Sequence, residues 1–70
     1  MDTYDRKVIK NINEYITRNN LSISKVAKEA GISYHQLWCI LTKRDTIRIG
    51  DYIAICKAVR EDYAFFLPEK

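Results

Sequence analysis

Residues 22–42 read SISKVAKEAGISYHQLWCILT, and the fold turns on this stretch. Ser22 carries a side-chain oxygen suited to capping a helix start. Ile23, Val26, Ala27 and Ala30 follow at i, i+3, i+4 and i+7, the spacing of one helical face. Gly31 ends that helix, because a glycine just past a short helix adopts the left-handed conformation without steric cost, and Ile32 returns the chain to the core. Ser33 caps a second helix. At about 100° per residue, Leu37, Ile40 and Leu41 cluster on one side of it while His35, Cys39 and Thr42 point the opposite way. Tyr34 and Trp38 fall at the edge of the apolar side: packing and presentation both stay open for Tyr34, and packing is the expectation for Trp38. One helix therefore holds and the next presents.

Working outward, Asp2 or Thr3 can cap a first helix in which Val8, Ile9, Ile12, Tyr15 and Ile16 form an apolar stripe. Lys7, Lys10, Asn11, Glu14 and Arg18 make up its exposed side. Asn19-Asn20 ends it, Asn20 being the better residue for a left-handed position, and Leu21 then packs inward. Beyond the presenting helix, Lys43-Arg44-Asp45-Thr46-Ile47-Arg48 is a polar connection with three positive charges and one negative. Ile49, Tyr52, Ile53, Cys56 and Val59 give another helical stripe, adjoined by Ile55, that is expected to close the core. Asp62 can cap a last short helix of Tyr63, Ala64, Phe65, Phe66 and Leu67, stopped by Pro68. So much apolar surface in five residues cannot all be buried. Phe66 and Leu67 are expected inside, leaving Tyr63 and Phe65 for a subunit interface or for folding back over the core. The expected fold class is all-α, five helices forming one domain over residues 1–70.

At 70 residues the chain holds one small core and no room for a second domain. With 47% hydrophobic and 30% charged residues it is globular rather than disordered. No apolar run approaches the ~20 residues of a membrane span, and neither a signal-peptide nor a lipidation pattern follows Met1, so a cytoplasmic location is expected. Cys39 is expected to face outward and Cys56 the core, which argues against a disulfide and fits a reducing compartment. Two cysteines and one histidine without paired ligand spacing offer no metal site. Phosphate-cradling glycine motifs are absent, and His35 has no neighbouring nucleophile with an orienting acid, so no enzyme, cofactor or small-molecule ligand is expected. A net charge of +3 points to an anionic partner only if the charge is gathered on one face.

Leu21-Ser22, Val26-Ala27, Gly31-Ile32-Ser33, Leu37 and Ile40 resemble the helix-turn-helix of Cro/repressor-type (XRE-like) transcriptional regulators. Ile49 to Val59 and Asp62 to Leu67 resemble the family's last two helices, so the likeness covers nearly the whole chain. It implies a lambda-repressor-like fold with the helix-turn-helix at about residues 22–42. The function it implies is that of a small regulator of the phage or mobile-element kind, occupying an operator and blocking polymerase. By that resemblance, Tyr34, His35 and Cys39 would contact bases in the major groove, flanked by Gln36 and Thr42. Ser22, Ser24, Ser33, Lys43, Arg44, Thr46 and Arg48 would lie along the sugar-phosphate backbone and set position rather than read sequence. The indole N–H of Trp38 could reach a phosphate from the rim.

Double-stranded DNA and a second copy of the chain are the expected partners, with Tyr63 and Phe65 at the dimer contact. Two recognition helices about 34 Å apart would read two half-sites one helical turn apart. Three departures from the family pattern stand out. Ile23 stands where relatives often carry a phosphate-touching glutamine, so that contact is not transferred. Ile16 and Leu41 stand where many relatives pair an arginine with a glutamate, and an apolar pair can replace a buried ion pair at little cost because no desolvation penalty remains. Arg60-Glu61 replaces the usual glycine and apolar residue before the last helix. The alternative function is a protein-interaction module on the same scaffold, an antitoxin-like or antirepressor partner using Tyr34, Trp38, Tyr63 and Phe65.

Overall fold

The first helix, α1, runs Tyr4–Arg18 and starts where Thr3 accepts a 3.2 Å hydrogen bond from the Arg6 N–H. That cap is Thr3; Asp2 lies outside residues 3–68, which the computed structural model describes. Asp5 in the first turn and Arg18 in the last both complement the helix dipole. Val8, Ile9, Ile12 and Ile16 are buried as their spacing requires. Asn11 belongs to a different surface from the one expected of it. It is half-buried, and its amide donates to the Phe66 carbonyl at 2.8 Å.

Next come α2 (Ile23–Ala30) and α3 (Tyr34–Thr42), each begun by a serine whose hydroxyl accepts from the backbone N–H three residues on. Between them Gly31 takes φ +76°, its N–H bonding the Lys28 carbonyl while the Ile32 N–H bonds that of Ala27. This paired closure satisfies carbonyls that the helix end leaves free. The fourth helix, α4, runs Ile49–Val59. Helix α2 packs on both α3 and α4, and α3 packs on α1. Val26, Ala27, Leu37, Ile40, Leu41, Ile55 and Cys56 join the α1 stripe in a single core, Ile16 and Leu41 both among its members. The radius of gyration, 11.0 Å, is that of a compact chain of this length.

Expectation and structure part at the C-terminal end of the chain. Four helices form among the described residues, not five, and there is no strand. Residues 62–67 fold as successive turns: the Phe65 N–H reaches the Asp62 carbonyl and the Leu67 N–H that of Ala64. Asp62 does not cap a helix; its carboxylate accepts weakly from the Ala64 N–H at 3.4 Å. Contacts with distant elements engage carbonyls of this segment. The Tyr63 carbonyl, which a helix would give to Leu67, accepts instead from the Tyr52 hydroxyl, and Phe66 gives its own to Asn11. Pro68 also disfavours a helical conformation at Leu67. Phe66 is buried as expected, but Leu67 is exposed, contrary to its expected place inside. Ile49, read as the start of the α4 stripe, is the first residue of α4 and is 79% exposed, while Ile55 is fully buried in the core.

Candidate nucleic-acid interface

Helix α3 is anchored by Leu37 and Ile40, which are fully buried, and by Leu41. The anchoring leaves its other side to water, and the Ser33 cap fixes where its first turn begins. Tyr34, His35 and Thr42 are exposed there, while Gln36 and Cys39 are half-buried. The His35 Nε2 lies 3.5 Å from the Cys39 thiol, one turn along. Gln36 reaches across to α4, its Nε2 donating to Asp51 Oδ1 at 3.3 Å. The Thr42 hydroxyl donates back to the Trp38 carbonyl at 2.7 Å, so its proton is already engaged within the helix.

Trp38 corrects the packing expectation. It is half-buried but lies apart from the core set. Its ring lies nearly parallel to that of His35, 6.4 Å away, and the Lys43 ammonium sits 5.3 Å from its centroid. Both partners are polar surface groups, so the indole covers the outer side of α3 and draws a cation to it. Tyr34 is exposed, so of its two open readings packing falls away.

The expected contact residues fall into three places. Ser33, His35, Gln36, Cys39, Arg44 and Arg48 border one cleft of about 380 Å³, with Asp51 on its far wall. Thr42 and Lys43 border a second cleft of about 410 Å³, together with Arg6 and Lys10 of α1, and Arg44 stands between the two. Ser22 and Ser24 lie in a third, separate groove beside Lys25 and Lys28. Tyr34 and Thr46 are exposed outside all three. Tyr63 and Phe65 are about half exposed, Phe65 while edge-on to Tyr15 at 5.4 Å.

Residues missed in the sequence hold the basic connection in place. The Asp5 carboxylate accepts from the Ile47 N–H at 3.1 Å, and Asn13 donates to the Leu41 carbonyl at 2.7 Å. Arg6 pairs with Asp45 at 3.5 Å, an exposed pair of small energetic weight. Its effect is on charge distribution: the one acid of the connection is paired with a cation of α1. Asp51 had a readable signal, an acid in the first turn of a helix, but its pairing with Gln36 spans 15 positions and nothing local announces it.

The shifted acidities lie elsewhere. The hydrogen bond to Glu61, with some burial, raises the Tyr15 phenol; burial pushes Tyr52 up to about 12 and also raises the Cys56 thiol. Cys39 and Cys56 are both free thiols, one half-buried and the other in the core. Among the described residues no three histidine, cysteine or acidic side chains gather as a metal site, and no helix is long and apolar enough to cross a membrane. No protein-family model, curated protein or solved structure matches the chain.

Proposed function

We propose that this chain binds double-stranded DNA as a small Cro/repressor-type regulator of the phage or mobile-element kind. In this reading α2, the Gly31 turn and α3 act as a lambda-repressor-like helix-turn-helix. The major groove, about 12 Å wide, admits a helix whose first turns then meet base edges. One observation carries the reading: Arg44 and Arg48 border the same cleft as His35, Gln36 and Cys39, so cationic and base-reading groups share one face. Lys43 extends the positive edge past Trp38.

His35 and Cys39, paired on adjacent turns, meet bases as one unit; Gln36 reads through its amide; Arg44 and Arg48 hold phosphates. Two copies joining through Tyr63 and Phe65 would act as a repressor at inverted half-sites. The test is selection from random duplexes at two salt concentrations. A short inverted repeat should be enriched, and His35→Ala or Gln36→Ala should relax it at defined positions. Arg44→Ala or Arg48→Ala should lower the salt slope by about 1 with base preference unchanged. If no sequence is enriched and binding vanishes at moderate salt, the DNA reading falls, and the scaffold serves a protein partner through Tyr34, Trp38, Tyr63 and Phe65. A mass measurement giving only monomer, free and on a palindromic duplex, would overturn the dimer.

A further inference from the structure

The geometry points to Asp51 as a positioning residue that sets which bases Gln36 accepts, an inference that rests on the DNA-binding reading. Asp51 belongs to α4, not to the helix that would enter the groove, and nothing in a recognition-helix pattern assigns it a part. Yet it stands across the cleft from Gln36, with its Oδ1 3.3 Å from the amide nitrogen. An ionised carboxylate only accepts hydrogen bonds, so it holds the amide with its NH2 end toward α4. The reverse orientation would set carbonyl oxygen against carboxylate oxygen.

A free glutamine can turn either end outward. Held by Asp51, Gln36 presents its Oε1 and the one remaining N–H. Oε1 needs a donor on the base edge, and in the major groove only adenine (N6) and cytosine (N4) carry an amino group. Guanine offers two acceptors, O6 and N7, and meets the carbonyl unfavourably. Asp51 therefore turns Gln36 from a two-way reader into one that favours amino-bearing bases over guanine, which only its single remaining N–H can meet. The same carboxylate borders the cleft that Arg44 and Arg48 line, and its negative charge there opposes phosphate binding. Selectivity is gained and general affinity for duplex is reduced, two effects of opposite sign from one residue.

A double-mutant cycle separates these effects. In selection from random duplexes, Asp51→Ala should admit guanine at the position that Gln36→Ala also relaxes, with preference there falling about fivefold, while overall affinity rises. In the Gln36→Ala background, Asp51→Ala should no longer change base preference, but the gain in affinity should persist. Asp51→Asn, which satisfies either amide orientation, should relax the same position and serves if the alanine variant folds poorly. A readout without DNA is the Gln36 side-chain amide pair in a proton–nitrogen NMR spectrum, which should shift in both Asp51 variants. Unchanged base preference in Asp51→Ala, or equal relaxation with and without Gln36, overturns the inference while the DNA reading stands. A wild-type chain that selects no duplex overturns the DNA reading, and unmoved Gln36 amide signals then overturn the Asp51 contact as well.

Discussion

The chain reverses direction after α2 and after α4 by the same backbone device, yet a helix comes after only the first. Gly31 (φ +76°) and Arg60 (φ +61°) are both left-handed, and at each the residue's own N–H and the N–H after it bond the corresponding two carbonyls of the departing helix. The continuations differ. The Ser33 hydroxyl accepts from the N–H three residues on and α3 begins, whereas the Asp62 carboxylate accepts only from the Ala64 N–H, two residues on, and the chain continues in turns. A reversal is thus set by the end of one helix, and the next helix needs its own cap, free carbonyls and length. In the segment after Arg60 two carbonyls, those of Tyr63 and Phe66, accept instead from the Tyr52 hydroxyl and the Asn11 amide of distant elements.

If the second reversal is held by tertiary contacts rather than by helix formation, its weak point is Phe66. That ring is 1% exposed and meets Tyr15, Tyr52 and Phe65 edge-on. Phe66→Ala should cost about 3–5 kcal/mol, close to the whole stability of a domain this small, and urea titration followed by circular dichroism should find the variant largely unfolded. A loss below about 1 kcal/mol would mean that the segment stands outside the cooperative core. At the first reversal the weak point is the backbone itself. A Cβ on Gly31 would meet nothing within 4 Å, so Gly31→Ala adds no clash and should cost only the left-handed penalty, ~1–2 kcal/mol. Thermal melting that shows no loss would require the turn to adopt another geometry.

The same contrast explains how much could be read from residue order. The α2–turn–α3 unit was legible because each of its signals is local: a serine cap, a period of 3.6, a glycine. Asn20 was legible likewise and is left-handed, with φ +55°. The missing fifth helix was not, because the contacts this segment makes with Tyr52 and Asn11 come from distant positions. Among the candidate site residues, spacing placed His35 and Cys39 together and outward. It could not foresee Trp38 lying against Lys43, or Gln36 tied to Asp51, since outward residues choose partners from whatever neighbouring elements happen to approach.

A smaller effect tests the hydroxyl that pins the second reversal. Tyr52→Phe removes the bond to the Tyr63 carbonyl and should cost about 1 kcal/mol. The pH dependence should also change. Burial raises the Tyr52 phenol from 10.0 to about 12, so the folded state favours its neutral form. Its stabilisation is complete below pH 10 and is lost as pH rises through about 12, because the unfolded chain releases the proton first. Denaturant titrations over this range should show stability falling more steeply in wild type than in Tyr52→Phe. A residual slope should remain from Cys56, whose thiol burial raises in the same sense.

The smallest effect should be a gain. Arg60 occupies a left-handed position that costs a side-chain-bearing residue ~1–2 kcal/mol, and glycine would remove that cost while adding ~0.5–1 kcal/mol of unfolded-chain entropy. Arg60→Gly should therefore stabilise the fold by about 0.5 kcal/mol, a rise of roughly 2–4 °C in Tm for a domain of this size. Such a gain would make the two reversals equivalent as backbone devices and leave the absence of a fifth helix to the side chains beyond Arg60. A loss would show that the arginine side chain stabilises the second reversal in a way glycine cannot, and the likeness between the two turns would then end at their hydrogen bonds.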